Sequence, residues 1–480
     1  MSILNYFPEG YEPSDIQKNV LRELELRWDN SDVFVLNLDV STGKSWIAYT
    51  IAKWQESKRK GTRITTPTSI LVDQYSKDFP KIATIKSAGH YSCELQGTRC
   101  GSVAKKRCSE CVYTKAYNQA SKAKISFSTY HMSLALRMPR PVMVFDEAHK
   151  LSDAIRNHHS SKIWAHKLGI PREIVGDFDA LKEWLGSRSR DNVMESIYRD
   201  LTEELPNNFY TWSTDWWSNG GYVWETQLKR KDGPVELPIL QVTPLDIYDK
   251  PPIFWDKQKL VLMSATIGRP DLYELGLDRK RPVFIEGAAP IAPENRPIIK
   301  DYIGSINYSN EDQMLPKLAE KLSTYLKEQK GRGVIHITYK LAAKLKGLLP
   351  QERLITHRSG GTKEALGKLL KSEQGVMLAC GMYEGVSLDY DKADWQSIAK
   401  ISWPSLIDPL QKHRSKLDPD YYNWSTLKVL IQASGRNCRR PDDRGVTFIN
   451  DASFEKLLKA KHLVPKNFSD RIVESTTKSA

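Results

Sequence analysis

Short apolar runs rich in β-branched residues recur along this sequence, and helix-like segments separate many of them. Each run has a length typical of a buried strand. The runs lie at 33–38, 64–66, 142–145, 260–263, 334–338, 376–379 and 446–449. Helical periodicity separates them at 46–58 and 314–330, for example. Because strands that alternate with helices form parallel sheets, the sequence predicts an α/β protein.

Two segments interrupt this alternation. The first, about 87–122, holds four cysteines and several basic residues, and the second, about 152–249, begins helical and then becomes aromatic. A strand-like run at 260–263 follows the second segment, which predicts that both are insertions into a first α/β domain. The predicted parts are 1–86, 123–151 and 250–289 for the first domain, 87–122 and 152–249 for its insertions, and 290–480 for a second domain.

The composition indicates a folded chain and is compatible with an anionic partner. Apolar residues make up 40% of the 480 residues and the net charge is +13. An excess of Lys and Arg suits a nucleic-acid partner, although a protein whose basic surface is merely solvated can carry the same excess. No apolar run approaches the roughly 20 residues that span a bilayer. The first residues, 1–11, lack a basic and apolar leader, so a cytoplasmic location and no membrane are expected.

A phosphate-binding loop is predicted where the first strand ends. Residues 39–45 read Asp-Val-Ser-Thr-Gly-Lys-Ser, and a helix-like segment follows. In such a loop the backbone N–H groups face a phosphate, Lys44 reaches the β- and γ-phosphates of ATP, and Ser45 ligates Mg²⁺. The pattern departs from the usual one at Leu38 and Ser41, which replace glycines.

An acidic pair follows the run at 142–145. Residues 146–149 read Asp-Glu-Ala-His, at the strand end where doubly wound sheets carry their chemistry. Asp146 is predicted to hold Mg²⁺ and Glu147 to polarise the attacking water. Taken alone, the acidic pair could instead belong to a strand-to-helix turn in which the Asp caps the helix and has no catalytic role.

An arginine motif lies near the end of the sequence. Residues 432–440 read Gln-Ala-Ser-Gly-Arg-Asn-Cys-Arg-Arg, and Arg436 and Arg439 share one helix face. From a second domain these arginines can reach a γ-phosphate across a cleft. A surface helix or a nucleic-acid contact is the alternative for such a segment by itself.

With these motifs in order, the sequence resembles the XPD/DinG-like branch of superfamily 2 helicases over nearly its whole length. The motifs that carry the resemblance are Gln17, 66–68 with Gln74, 128–131, the DEAH box at 146–149, 262–266, 384–386 and 432–439. Two positions depart from the family pattern, because Ser14 stands where an Arg is frequent and Ser387 where an Asp is frequent.

The resemblance implies two RecA-like domains that close on ATP, single-stranded DNA crossing both, 5′ to 3′ movement, and an Arch-like insertion at 152–249. The implied ATP and Mg²⁺ residues are Gln17, Ser41, Thr42, Gly43, Lys44, Ser45 and Asp146. The implied catalytic residues are Lys44, Glu147, Gln432, Arg436 and Arg439. The residues implied to couple hydrolysis to movement are His149, Ser264, Thr266, Glu384 and Gly385.

Four cysteines with the spacing Cys-x6-Cys-x7-Cys-x2-Cys suggest a metal site. They are Cys93, Cys100, Cys108 and Cys111. Thiolates with this spacing can bind zinc or a [4Fe–4S] cluster, and the spacing does not separate the two. The resemblance favours the cluster, because the family carries its iron–sulfur domain at this point of the chain. Cys380 and Cys438 are expected to be structural.

The sequence therefore predicts an ATP-dependent DNA helicase that acts on single strands and forked duplexes, with a cluster domain that helps to separate the strands. One alternative is an RNA-directed or duplex-translocating ATPase of the same superfamily. Another is a zinc-stapled nucleic-acid-binding protein in which the nucleotide site has decayed. The tryptophans of 152–249 are expected to pack a small subdomain rather than stack on bases.

Overall fold

The computed structural model contains two α/β lobes and a small antiparallel sheet. It describes residues 1–39, 42–92, 111–136, 139–204, 206–217, 235–250, 255, 257–287, 291–358, 361–380, 393–438 and 442–474. Among these residues there are seventeen strands and sixteen α-helices.

The strands run in chain order as follows: β1 (Val33–Leu38), β2 (Thr62–Thr66), β3 (Ala83–Ile85), β4 (Ile125–Thr129), β5 (Val142–Asp146), β6 (Ser161–Trp164), β7 (Asn208–Trp217), β8 (Val235–Pro244), β9 (Lys259–Ser264), β10 (Val283–Gly287), β11 (Ile298–Gly304), β12 (Gly333–Ile337), β13 (Leu354–Ile355), β14 (Val376–Cys380), β15 (Trp395–Ile398), β16 (Val446–Asp451) and β17 (Ile472–Glu474).

The helices are α1 (Asp15–Arg27), α2 (Lys44–Ser57), α3 (Ser69–Asp78), α4 (Val112–Lys122), α5 (Tyr130–Leu136), α6 (Leu151–His159), α7 (Phe178–Gly186), α8 (Asn192–Thr202), α9 (Arg269–Glu274), α10 (Glu311–Glu328), α11 (Tyr339–Leu345), α12 (Thr362–Lys371), α13 (Pro409–Leu417), α14 (Tyr421–Ser434), α15 (Phe454–Lys459) and α16 (Lys466–Ser469).

Each lobe is built on a parallel sheet of seven strands. The first lobe has the order β10-β1-β9-β5-β2-β4-β3, and the second has the order β13-β14-β12-β15-β16-β11-β17. All the strand pairs recorded in these two sheets are parallel. Every strand run predicted from the sequence is present, and the predicted α/β class with two parallel sheets is confirmed.

Strand β1, which lies between β10 and β9, shows why these strands read as continuous apolar runs. Phe34 and Leu36 pack into one core cluster with α1 and α2, whereas Val33 and Val35 pack into another with α6 and α9. Helices therefore cover both faces of the sheet, and both sets of alternating side chains are buried. The carboxyl ends of β1, β5 and β9 consequently meet at one edge.

A three-stranded antiparallel sheet, in the order β6-β8-β7, lies between β5 and β9 in the chain. The helical pattern that precedes β7 forms two helices, α7 and α8, because Asp177 and Asp191 each cap the backbone N–H groups of a new helix start. Trp212 is half-buried and stacks on Phe178 with ring centroids 5.9 Å apart. This tryptophan packs the subdomain, as the sequence suggested.

Candidate active site

The phosphate loop leaves β1 and enters α2 through Gly43. This glycine has a φ of +72°, and a side chain added to it would collide with the amide nitrogen of Gln17. Only glycine adopts this conformation without strain and without displacing that neighbour. Lys44 and Ser45 then occupy the first turn of α2, where backbone N–H groups lack helical partners and attract anions.

Gln17 on α1 contacts the phosphate loop through a hydrogen bond. Its carboxamide oxygen accepts a hydrogen bond from the backbone N–H of Ser14 (2.9 Å), which completes a capping box at the start of α1. Its Nε2 donates to the carbonyl oxygen of Thr42 (3.1 Å). Binding of ATP by Gln17 remains a prediction, and the contact with Thr42 is one that the sequence did not suggest. Ser41, also predicted for this site, lies outside the described residues.

Lys44 faces the acidic pair at the end of β5. Its Nζ lies 3.4 Å from Oε1 of Glu147. Burial disfavours the charge on Lys44, but the carboxylates of Glu147, Asp146 and Asp39 outweigh burial and raise its pKa above the ordinary value. The lysine is therefore a permanent cation beside the loop, as binding of phosphates requires.

Two tyrosines hold the carboxyl end of β5. Tyr75 donates from Oη to Oδ2 of Asp146 (3.0 Å), and Tyr130 donates to the carbonyl oxygen of Asp146. The backbone N–H of Glu147 donates to Oδ1 of Asp146 (3.1 Å). These bonds fix the orientation of the carboxylate. Tyr75 was not singled out from the sequence, and Tyr130 lies in the motif at 128–131 without having been assigned this contact.

The two acids differ in their protonation tendencies. Burial, together with the charge of Glu147, raises the pKa of Asp146. Burial also acts to raise the pKa of Glu147, but the positive charge of Lys44, followed by the electrostatic effect of His149, outweighs burial and lowers the value. Glu147 has a φ of +57°, a left-handed conformation that is costly for a residue with a side chain. Its carboxylate is thus kept ionised on a strained turn beside Lys44.

A hydrogen-bonded chain crosses from the acidic pair to the second lobe. Nδ1 of His149 lies 3.4 Å from Oε2 of Glu147 and 2.8 Å from Oγ of Ser264. That hydroxyl also accepts a hydrogen bond from the backbone N–H of Thr266 (3.1 Å). Gln432 lies on α14 of the second lobe, and its Nε2 is 3.1 Å from Nε2 of His149 and 2.9 Å from Oγ1 of Thr266. The structure thus brings together four residues that the sequence predicted from three separate motifs.

The arginine motif lies at the end of α14. The expectation that Arg436 lies on a helix face is wrong, because α14 ends at Ser434 and Arg436 lies two residues beyond it. Arg436 is 8% exposed. Its charge adds to the effect of burial in lowering the pKa of His336 to about 4. The predicted residues Arg439, Glu384 and Gly385 lie outside the described residues.

Ion pairs join the two lobes beside this network. Arg414 on α13 lies 2.6 Å from a carboxylate oxygen of Glu274 and 3.0 Å from one of Asp153. Lys428 lies 2.6 Å from Asp271, and the indole nitrogen of Trp424 donates to the same carboxylate (2.7 Å). The cleft is therefore bridged by charges as well as by Gln432.

Two family models match parts of the chain. The helicase C-terminal domain matches residues 321–471, and the Type III restriction enzyme, res subunit, matches residues 10–169. No curated protein sequence matches this chain.

Solved structures match over nearly the whole length. The structure of S. tokodaii Xpd4 has a TM-score of 0.58 and 14% identity, covering 96% of this chain and 100% of that one. An XPD helicase structure has a TM-score of 0.58 and 13% identity, covering 97% of this chain and 100% of the other. The chain has the fold of these XPD helicases. In this XPD-like fold the two seven-stranded sheets are the RecA-like domains.

Of the four predicted metal ligands, the structure describes Cys111. Cys93, Cys100 and Cys108 lie outside the described residues. Cys111 precedes α4 and packs against a small apolar cluster that includes Ile85. The four cysteines as metal ligands therefore stay a prediction. In the part of the chain that is described, no helix is both long and apolar enough to cross a bilayer.

Proposed function

We propose that this chain is an ATP-dependent DNA helicase that translocates 5′ to 3′ on single-stranded DNA. The observation that carries the proposal is the continuous chain of polar contacts from Lys44 through Glu147 and His149 to Gln432. It links the residues suited to hydrolysis in one lobe to the other lobe. A motor requires such a link, because hydrolysis has to change how the lobes are arranged.

In the proposed reaction, water attacks the γ-phosphorus of ATP and the bond to the β–γ bridging oxygen breaks. Lys44 orients the β- and γ-phosphates, and Glu147 accepts a hydrogen bond from the water and then its proton. Ser45 and Asp146 supply the oxygen donors that Mg²⁺ prefers. When bound there, Mg²⁺ would neutralise phosphate charge. Arg436 would stabilise the charge of the transition state from the second lobe.

The single-stranded substrate, the direction and the cluster follow from the resemblance and the cysteine spacing. Four thiolates are the usual donor set of a [4Fe–4S] cluster. The net charge of +13 suits a polyanionic strand. In this proposal the basic segment around Cys100 and Cys108 would lie near the duplex fork and help to part the strands.

The motor is tested by ATPase assays with single-stranded DNA, single-stranded RNA or blunt duplex as the stimulating polymer. Strongest stimulation by single-stranded DNA supports the proposal, whereas stimulation by RNA or duplex alone favours the alternative ATPases. Lys44→Ala should abolish hydrolysis and retain strand binding. Forked substrates with only a 5′ or only a 3′ tail test the direction.

The cluster is tested by anaerobic purification, an absorption spectrum, and iron and zinc analysis. Broad absorption near 400 nm with roughly four irons per chain supports the [4Fe–4S] site, and stoichiometric zinc without iron supports the alternative. Cys108→Ser should remove both the metal and unwinding while ATP binding persists. Iron-free wild-type protein that unwinds DNA normally would refute the cluster proposal.

A further inference from the structure

The phosphate loop is anchored to the second lobe by its first residue, Asp39, to which the sequence motifs assign no role. Asp39 immediately follows β1, and its carbonyl oxygen accepts hydrogen bonds from N–H (3.4 Å) and Oγ1 (3.0 Å) of Thr42. Its own N–H donates to the carbonyl oxygen of Gly287 (3.1 Å). Its carboxylate oxygen Oδ2 lies 3.0 Å from Nη1 of Arg296 and 3.3 Å from Nδ2 of Asn467. Asp39 thus shapes the loop with its backbone and engages the second lobe with its side chain.

Arg296 is held from its other end by a second arginine. Nε of Arg471 donates to the carbonyl oxygen of Arg296 (2.9 Å), and its Nη2 donates to the carbonyl oxygen of Ser434 (2.7 Å). Ser434 ends α14, two residues before Arg436. The contacts therefore form one path from the phosphate loop to the arginine motif. The path, named the hinge relay, consists of Asp39, Arg296, Arg471 and Ser434.

The residues of the hinge relay are largely shielded from solvent. Asp39 is 8% exposed, and both Arg296 and Arg471 are 3% exposed. Burial, followed by the charge of Arg296, lowers the pKa of Arg471 to about 10, and the charge of Asp39 opposes this effect. The two buried arginines thus repel each other, and the negative charge of Asp39 stabilises both of them. With little screening by solvent, removing this carboxylate would disturb both arginines together.

We infer that the hinge relay is a positioning device for hydrolysis: it fixes the phosphate loop relative to Arg436. This inference rests on the proposed ATPase function. Its physical basis is that the loop binds the phosphates while the arginine acts on the same phosphates from the other lobe. A displacement of one relative to the other of about 1 Å lowers the rate of chemistry far more than it lowers binding of the nucleotide.

The test compares the effect of each substitution on the ATPase kcat with its effect on nucleotide affinity. Asp39→Asn removes the charge, and Arg296→Lys retains a charge but loses the planar guanidinium whose Nη1 contacts Asp39. Each variant should lower the ATPase kcat by about tenfold or more, while affinity for a fluorescent ADP analogue changes by less than about threefold. Melting temperatures show that each variant is folded.

Glu274→Gln is the matched control. It also removes a largely buried carboxylate that pairs with an arginine across the cleft, and among the described residues Glu274 contacts neither the phosphate loop nor the arginine motif. It should leave kcat within about twofold. Equal losses of kcat in Asp39→Asn and Glu274→Gln would show general lobe attachment and overturn the inference, as would unchanged kcat in folded Asp39→Asn. Wild-type protein that hydrolyses no ATP would instead refute the proposed function.

Discussion

Gln432 crosses the cleft with a single amide group, and its removal should uncouple the lobes. Its Nε2 donates to Oγ1 of Thr266 at 2.9 Å and lies 3.1 Å from Nε2 of His149, which accepts the second hydrogen when the ring proton of His149 is on Nδ1. Gln432→Ala deletes both hydrogen bonds and retains the helix, since alanine is the residue with the highest helix propensity.

The expected loss of interlobe coupling free energy follows from the two hydrogen bonds that are removed. Each neutral hydrogen bond contributes about 1 kcal/mol, so Gln432→Ala should cost about 2 kcal/mol of interlobe coupling. This corresponds to about a thirtyfold fall in the DNA-stimulated kcat. The KM for ATP should change little, because Gln432 has no contact with the phosphate loop among the described residues. Thr266→Val deletes one of the two bonds and should cost about half as much free energy.

The assay is steady-state ATPase activity, with and without single-stranded DNA, for wild type, both single variants and the double variant. Once Gln432 is absent, Thr266→Val should have almost no further effect, because the hydroxyl has lost its partner. Fully additive losses of free energy would refute the proposed coupling. So would a large fall in basal ATPase activity with the stimulation factor unchanged.

Three further predictions concern the surroundings of the site. Gly43→Ala should weaken binding of a fluorescent ADP analogue by about tenfold or more, because the left-handed backbone is strained and the new methyl group displaces Gln17; affinity equal to wild type would contradict this. Tyr75→Phe should leave the fold stable but lower kcat by about fivefold, because Asp146 loses its hydroxyl partner; an unchanged kcat would show that the hydroxyl does not orient the acid. Burial lowers the pKa of His336 to about 4 from 6.5, so the unfolded chain binds the proton more readily between these values. The free energy of unfolding should therefore fall by up to about 3 kcal/mol as pH drops from about 6.5 to 4, and urea denaturation of His336→Gln should lack that part of the decrease.

The sequence predicted the elements that carry strong local signals. β1, β5 and β9 appear where buried apolar runs occur, because their side chains are covered on both faces. Several sheet strands were not predicted, including β11 at Ile298–Gly304 and β17 at Ile472–Glu474. Short or half-buried strands with lysine, aspartate and glutamate lack the continuous apolar signal. They join the sheet because a long-range neighbour supplies the hydrogen bonds.

The candidate site shows the same limit. Lys44, Glu147, His149 and Gln432 were predicted because each belongs to a motif with a recognisable spacing. Asp39 lies within the phosphate loop, but nothing local in the sequence identifies Arg296 as its partner. A contact between lobes depends on how two folded bodies meet, and local periodicity carries no information about that.

The position of β1 in its sheet has a consequence for how the first lobe is made. β1 lies between β9 and β10, so both of its neighbours come from residues 259–287. As the chain leaves the ribosome, residues 33–38 must wait for the small antiparallel sheet and then for β9 before either edge is paired. Closing such long loops slows folding and leaves unpaired strand edges exposed in the meantime. The phosphate loop, which follows β1, is therefore synthesised before the acidic pair and the arginine motif, but it acquires its final support only when β9 and β10 have paired with β1.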